Sequence, residues 1–223
     1  VLSATRAVVS GKAAYERDSV TFADPDYHWM LLALLFRLAA SGKRVTVMDV
    51  GGALGSTYHQ HRRWLDEIAG LRWCVVEQPH VAACGRREFA TDRLVFYDSV
   101  RACTAAEHVT FALYSSVLAY VRDPGDFLTA AREASVPLVL IDQTLVWAEE
   151  AAADRYVVQH VPAAIYRAAY PARITSTERL LAPLSGAYRV LHTEAGYATP
   201  VVLRRPFQLA RYRRFVLECE DFR

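Results

Sequence analysis

The segment Asp49-Val50-Gly51-Gly52-Ala53-Leu54-Gly55 constrains this chain more than any other. It follows the apolar run Arg44-Val45-Thr46-Val47-Met48 and precedes a helix expected from about Ser56 to Ala69, closed by Gly70. A strand that ends in glycines and turns into a helix aims backbone N–H groups and the positive helix end at one place. Glycines suit it because the chain turns tightly and a ligand approaches the backbone. The spacing Asp-x-Gly-x-Ala-x-Gly differs from the dinucleotide fingerprint Gly-x-Gly-x-x-Gly.

Around this loop short β-rich runs alternate with helical ones. Strands are expected at 44–48, 71–76, 94–97, 108–113 and 137–141, with later ones at 188–193 and 215–219. Helices are expected at 79–89 and from Asp123-Pro124 to about 134. Strands apolar on both faces and separated by helices predict an α/β fold. The sheet would be Rossmann-like, mostly parallel and seven-stranded, with helices on both faces. Residues 1–43 read as an N-terminal lid and helical segment, and 44–223 as the Rossmann-like domain, together one globular unit. Within the first part a helix is expected near Asp24-Pro25-Asp26, capped by Asp24 and ending at Ser41-Gly42. Residues 151–175 read as helix plus loop.

Composition narrows the partners. The formal net charge of 223 residues is only +2, which gives a nucleic acid or an anionic membrane no electrostatic support. The apolar stretch from Trp29 to Ala40 is interrupted by Arg37 and is too short to span a bilayer, and no signal peptide is recognised. Cys74, Cys84, Cys103 and Cys219 form no C-x-x-C pair, so free thiols and a cytoplasmic location are expected. The histidines lack metal-ligand spacing, and no metal is expected.

Ligands in such sheets bind at the carboxyl ends of strands. That singles out Asp49, Gly51, Gly52 and Gly55, then Glu77-Gln78, Asp98-Ser99, Ser115 and Asp142-Gln143. A carboxylate at Glu77 can accept both hydroxyls of a ribose, although a solvated surface glutamate is the bland reading. Asp98 could touch an adenine edge or simply cap a helix. Glu16, Asp142 and His160 are candidate bases, with Tyr58 a further one. Against that, Asp142 can cap a segment, His160 can be structural, and Glu16 can pair with Arg17. Tyr15, Tyr58, Tyr120, Tyr166 and Tyr170 could line an acceptor pocket or pack in the core.

Five separated blocks carry a family resemblance. They are Gly11-Lys12-Ala13-Ala14-Tyr15-Glu16-Arg17-Asp18-Ser19-Val20, the loop through Tyr58, and Trp73-Cys74-Val75-Val76-Glu77-Gln78-Pro79. Tyr114-Ser115-Ser116-Val117-Leu118-Ala119-Tyr120 follows, then Gln159-His160-Val161-Pro162 leading to Ile165-Tyr166 and Tyr170-Pro171. Over residues 11 to 220 the chain resembles a poorly characterised bacterial family of class I S-adenosylmethionine (SAM) methyltransferase type, linked to polysaccharide or secondary-metabolite assembly. The resemblance implies SAM as cofactor, with Asp49 near its methionine end and the Glu16-Arg17 cluster as a lid. The family says little about substrate; a small-molecule or carrier-bound acceptor is expected, met by Arg17, Tyr120, Gln143, Gln159, Tyr166, Tyr170 and Arg173. The sequence departs from the family at Gln143, where arginine is usual, and at Arg173, where an aromatic is usual. Two rivals therefore stand beside methyl transfer: a SAM-independent elimination or cyclisation, and a non-catalytic partner subunit. A homo- or heterodimer is open.

Overall fold

The structure, a computed structural model, describes residues 1–148, 153–161, 167–204 and 207–221. The chain is an α/β protein with a mostly parallel central sheet. It packs as two compact units, residues 1–112 and a second from 113 on.

The first unit opens with helix α1 (Leu2–Val9) and a tight hairpin, β1 (Tyr15–Arg17) and β2 (Val20–Phe22), in which Glu16 lies opposite Thr21. These elements occupy a region in which the sequence showed no clean period. The hairpin turns through Asp18 and Ser19, both at positive φ, and Tyr15 stacks on Phe22 at 4.5 Å. Helix α2 (Trp29–Ala40) follows. It starts later than expected. The cap is His28, whose Nδ1 accepts from the Leu31 N–H at 3.1 Å, and not Asp24. Arg17 pairs with Asp26 at 3.6 Å, outside the helix.

Then come β3 (Thr46–Val50), α3 (Ser56–Leu65), β4 (Arg72–Val76), α4 (Pro79–Glu88), β5 (Leu94–Tyr97) and α5 (Val100–Ala106). β3 pairs with β4 and β4 with β5, both parallel, so Met48, Cys74 and Val95 lie in one row. As expected of strands apolar on both faces, Val47, Met48, Trp73, Cys74 and Leu94 are fully enclosed. α5 was not expected. Its cap is Ser99, which accepts from the Ala102 N–H at 3.2 Å, so the helix-cap role considered for Asp98 belongs to its neighbour.

α2 and α3 are tied by His61, which is 1% exposed. Its Nε2 accepts from the His28 N–H at 2.8 Å, and its Nδ1 donates to the Thr57 carbonyl at 2.8 Å. The bond from the His28 N–H needs the neutral ring, and burial lowers its pKa to about 4. The unfolded ring takes its proton near pH 6.5, so this stabilisation is complete above that pH and declines as pH falls towards 4. At neutral pH His61→Leu should lose about 3 kcal/mol from the orphaned His28 N–H and the lost contacts. The gap between wild type and variant should shrink steadily from pH 6.5 to 4 in urea unfolding.

β6 (Phe111–Ser115) carries the chain into the second unit. There follow α6 (Pro124–Glu133), β7 (Leu138–Trp147), β8 (Arg155–His160), β9 (Ala169–Ile174), α7 (Thr177–Leu181), β10 (Tyr188–Ala195), β11 (Val201–Arg204) and β12 (Phe207–Cys219). α6 begins at the expected place, with Asp123 accepting from the Gly125 N–H. The strand order is β6-β7-β12-β10, with β12 antiparallel to both β7 and β10. β11 is an addition to the expected strands and pairs with β12. Within the stretch read as helix plus loop, β8 and β9 instead pair antiparallel, over a core of Ala119, Leu145, Trp147, Ile174 and Ala210; residues 151–152 and 162–166 of it lie outside the described residues.

β7 does not end at Asp142. It runs on to Trp147, ten residues in all and every one buried. Thr144 faces Arg213 and Ile141 faces Phe215, which leaves Asp142 and Gln143 opposite Arg214 alone. This is a β-bulge, and Gln143 takes its strain at φ 51°.

Candidate functional site

In the first unit the site is built on the turn from β3 into α3. Gly51 donates its N–H to the Val76 carbonyl, which holds the start of the loop to the end of β4. Gly55, at φ 87°, is the left-handed residue from which α3 departs. Ala53 is also left-handed, at φ 52°. An alanine there costs about 1–2 kcal/mol in backbone strain. Ala53→Gly should therefore raise stability by about 0.5–1 kcal/mol after the flexibility of glycine is discounted. A thermal or urea melt showing a loss would refute that.

Asp49 is 1% exposed at the foot of this loop. The Trp73 indole N–H donates to its Oδ2 at 3.0 Å. A Cβ on Gly52 would lie 2.5 Å from the same oxygen, so only glycine lets the loop pass over the carboxylate. Burial raises the Asp49 pKa to about 7, against the opposing Trp73 bond and with a further push from Glu77. Glu77 directly follows β4 and turns back to the loop. Its Oε1 accepts from the Ala53 N–H at 3.2 Å and its Oε2 from the Gln78 N–H at 2.8 Å. Each oxygen keeps a lone pair for a ligand.

The hairpin reaches the same loop. Glu16, 4% exposed, accepts from the Ser56 hydroxyl and from the Ser19 N–H, so a carboxylate sits at the first turn of α3. Arg17 pairs with Asp26 on the surface. Tyr58 packs beside Trp73, and burial raises its pKa, which keeps the phenol protonated and unsuited to act as a base at neutral pH. Asp98 and Ser99 are exposed beyond β5, and Gln78 precedes α4. A separate cavity of about 430 Å³ is bounded by Tyr58, His59, Arg62, Phe89 and Arg93 and includes none of the loop glycines.

The second unit holds its own polar groups. Asp142, 2% exposed, accepts from Arg214 Nε at 2.7 Å, and the Ser115 hydroxyl approaches it at 3.5 Å. Arg214 also bonds Glu194. A carboxylate so engaged holds a guanidinium; it is not free to take a proton. Gln143 is buried, and among the described residues its Nε2 has no hydrogen-bond partner, nor has Thr144 Oγ1. The Tyr120 hydroxyl donates to Gln159 at 2.9 Å, and its ring meets Tyr170 edge-on at 5.4 Å. Arg173, read as a rim residue for substrate charge, is bound to Asp154 at 2.7 Å, which also takes Arg179 and Thr175. Its charge is used within the fold. His160 is exposed at the end of β8. Tyr166 lies outside the described residues.

Two partners escaped sequence reading. Trp73 orients Asp49 from the neighbouring strand, and the signal was a tryptophan in a run otherwise suited to aliphatic residues. Arg214 lies 72 residues from Asp142, with no local pattern to join them. Among the described residues no group of His, Cys, Asp and Glu could hold a metal, and no helix is long and apolar enough to cross a membrane.

No protein-family model matches the chain, and no curated protein matches it in sequence. Solved structures do match in fold. The N-terminal domain of EvdMO1, crystallised with SAH and D-fucose, is 15% identical with a TM-score of 0.56, over 92% of this chain and 90% of that domain. LepI in complex with SAM is 11% identical with a TM-score of 0.55, over 88% of this chain and 49% of LepI. A structure described as a pericyclic reaction enzyme is 10% identical with a TM-score of 0.53. The chain spans 43% of full-length EvdMO1 and about half of LepI.

Proposed function

We propose that the chain is a SAM-dependent methyltransferase of the class I type, acting on a small molecule or a carrier-bound intermediate. The observation that carries this reading is the buried Asp49 carboxylate beneath a glycine loop that Glu77 clasps from the next strand. Two carboxylates and a run of backbone N–H groups at one turn fit a ligand that joins a cation to a nucleoside. The presence of SAH in the EvdMO1 domain and of SAM in LepI supports the same choice. When bound, SAM supplies an electrophilic methyl group on a sulfonium.

The residues then divide the labour. Asp49, fixed by Trp73, faces the cationic methionine end, and Glu77 takes the ribose hydroxyls. Gly51, Gly52 and Gly55 let the loop close on the ligand, while Gln78, Asp98 and Ser99 flank the adenine. Residues 1–43 act as a lid, with Glu16 anchoring it. In the second unit Tyr120, Gln159 and Tyr170 contact the acceptor, with Gln143 setting its orientation. Methyl transfer gains most from in-line placement, and a base is needed only for a hydroxyl or an ammonium acceptor. Calorimetric titration with SAM and SAH tests the reading; no heat of binding at about 1 mM ligand would sink it.

A second reading is favoured by the likeness to the pericyclic reaction enzyme. In it the chain holds SAM, or none, and catalyses an elimination or cyclisation without moving a methyl group. Products separate the two by mass: a gained methyl supports the first, an isomer or an eliminated fragment the second.

A further inference from the structure

Helix α2 is apolar on both sides. Leu31, Leu32, Leu35 and Leu38 are buried, yet the opposite face shows Trp29 at 60% exposure, Phe36 at 37%, and the exposed Ala33 and Ala40. Arg37 is the helix's one charged residue. A surface helix ordinarily turns charged and polar residues to solvent, and a helix apolar all round is normally enclosed. The four outer residues recur at spacings of four, three and four, the seam of an antiparallel helix pair.

Their order is self-complementary. When α2 is laid antiparallel on a second copy about the point between Leu34 and Leu35, Trp29 meets the partner copy's position 40, an alanine. In the same register Ala33 meets position 36, a phenylalanine. Large faces small in every layer. Arg37 falls opposite position 32 and not opposite its own copy. A two-fold contact requires this kind of self-matching, because the same patch serves both sides. Trp29 is also braced in advance. Its ring lies 5.4 Å from Tyr27 and 5.6 Å from Trp64, so little freedom is lost on docking.

We infer that the outer face of α2 is a homodimer interface in which the two helices pack antiparallel through Trp29, Ala33, Phe36 and Ala40. The exposed apolar area of the strip is about 300 Å² per copy, using typical aromatic side-chain areas. That is well short of the roughly 800 Å² per partner of a standard interface, so the dimer is weak, with a Kd on the order of 10–100 µM.

Sedimentation equilibrium from about 2 to about 300 µM tests this. The weight-average mass should rise from 25.0 kDa towards twice that value. Phe36→Glu should hold the mass well below that of wild type at every concentration where wild type associates, a weakening of at least thirtyfold. Ala33→Phe alone should also weaken the dimer, because phenylalanine then meets phenylalanine. Ala33→Phe combined with Phe36→Ala restores large against small and should recover the dimer to within about threefold of wild type. All these positions are exposed, and matching melting curves show that each variant is folded; Trp29→Lys replaces any that is not. A wild type monomeric at every concentration, a dimer insensitive to Phe36→Glu, or a double variant no better than Ala33→Phe overturns the proposal.

Discussion

Glu77→Ala is expected to weaken SAM binding at least about a hundredfold while leaving the protein folded. The side chain stands at the carboxyl end of β4, and each oxygen already accepts one backbone N–H. With a ribose in place it accepts two hydroxyls more, and hydrogen bonds to a charged group contribute roughly 1.5–3 kcal/mol each. Loss of both therefore spans two to four powers of ten. The bond to Ala53 adds to the effect, since it helps hold a left-handed alanine in the loop. Glu77→Gln, which keeps one acceptor oxygen, should fall between wild type and alanine. Titration calorimetry gives the affinities and a thermal melt the control. A drop of less than about threefold in Glu77→Ala would remove the ribose from this residue.

Asp49→Asn should move stability and binding in opposite directions. The native carboxyl has its pKa raised to about 7, chiefly by burial, against 3.8 for the unfolded chain. Below pH 3.8 both states are protonated and the residue makes no difference. From there to pH 7 the unfolded chain ionises and the folded one resists, so the penalty grows, and above 7 it is complete. Three pH units correspond to about 4 kcal/mol, an upper figure for a site that relaxes. Asparagine keeps an oxygen for the Trp73 indole and carries no charge to bury. At pH 8 the variant should be more stable than wild type by about 2–4 kcal/mol in urea unfolding, and at pH 4 the gain should vanish. Its affinity for SAM should fall by at least tenfold, because the cationic end of the ligand loses its counter-charge. A gain over wild type no larger at pH 8 than at pH 4 would show that Asp49 is not held against ionisation. The trade follows a general pattern in which a binding site is maintained at some cost to the fold.

The first unit was far more legible than the second. Strands β3 to β5 and helices α3 and α4 announced themselves through local means: apolar runs, a glycine turn, and Pro79 at the head of a helix. The loop residues lie within seven positions of one another, so one window of sequence held the core of the site. The hairpin at Tyr15 to Phe22 was missed because three-residue strands carry too few residues to show a period. β8 and β9 were missed for another reason. Their partly buried residues alternate with exposed Tyr156 and Val158, so apolar character appears on both faces and imitates a helix. Asp142 was read as the end of a strand because polarity interrupts the apolar run there. The strand in fact passes through, since Arg214, from a segment 72 residues away, supplies the charge that lets Asp142 be buried. Arg173 was assigned to the rim on grounds of charge, and Asp154 takes that charge up.

The bulge in β7 has a consequence for how such a chain can diversify. Leu138 to Ile141 and Thr144 to Trp147 keep their own alternating rows against β12, and the extra residue separates the two rows. Asp142 and Gln143 are thus the positions where β7 does not have to satisfy the pleat. A lineage can exchange them without re-phasing the apolar rows on either side, as long as Arg214 changes with Asp142. The joint lets the polar chemistry of the second unit change while its hydrophobic rows stay in register.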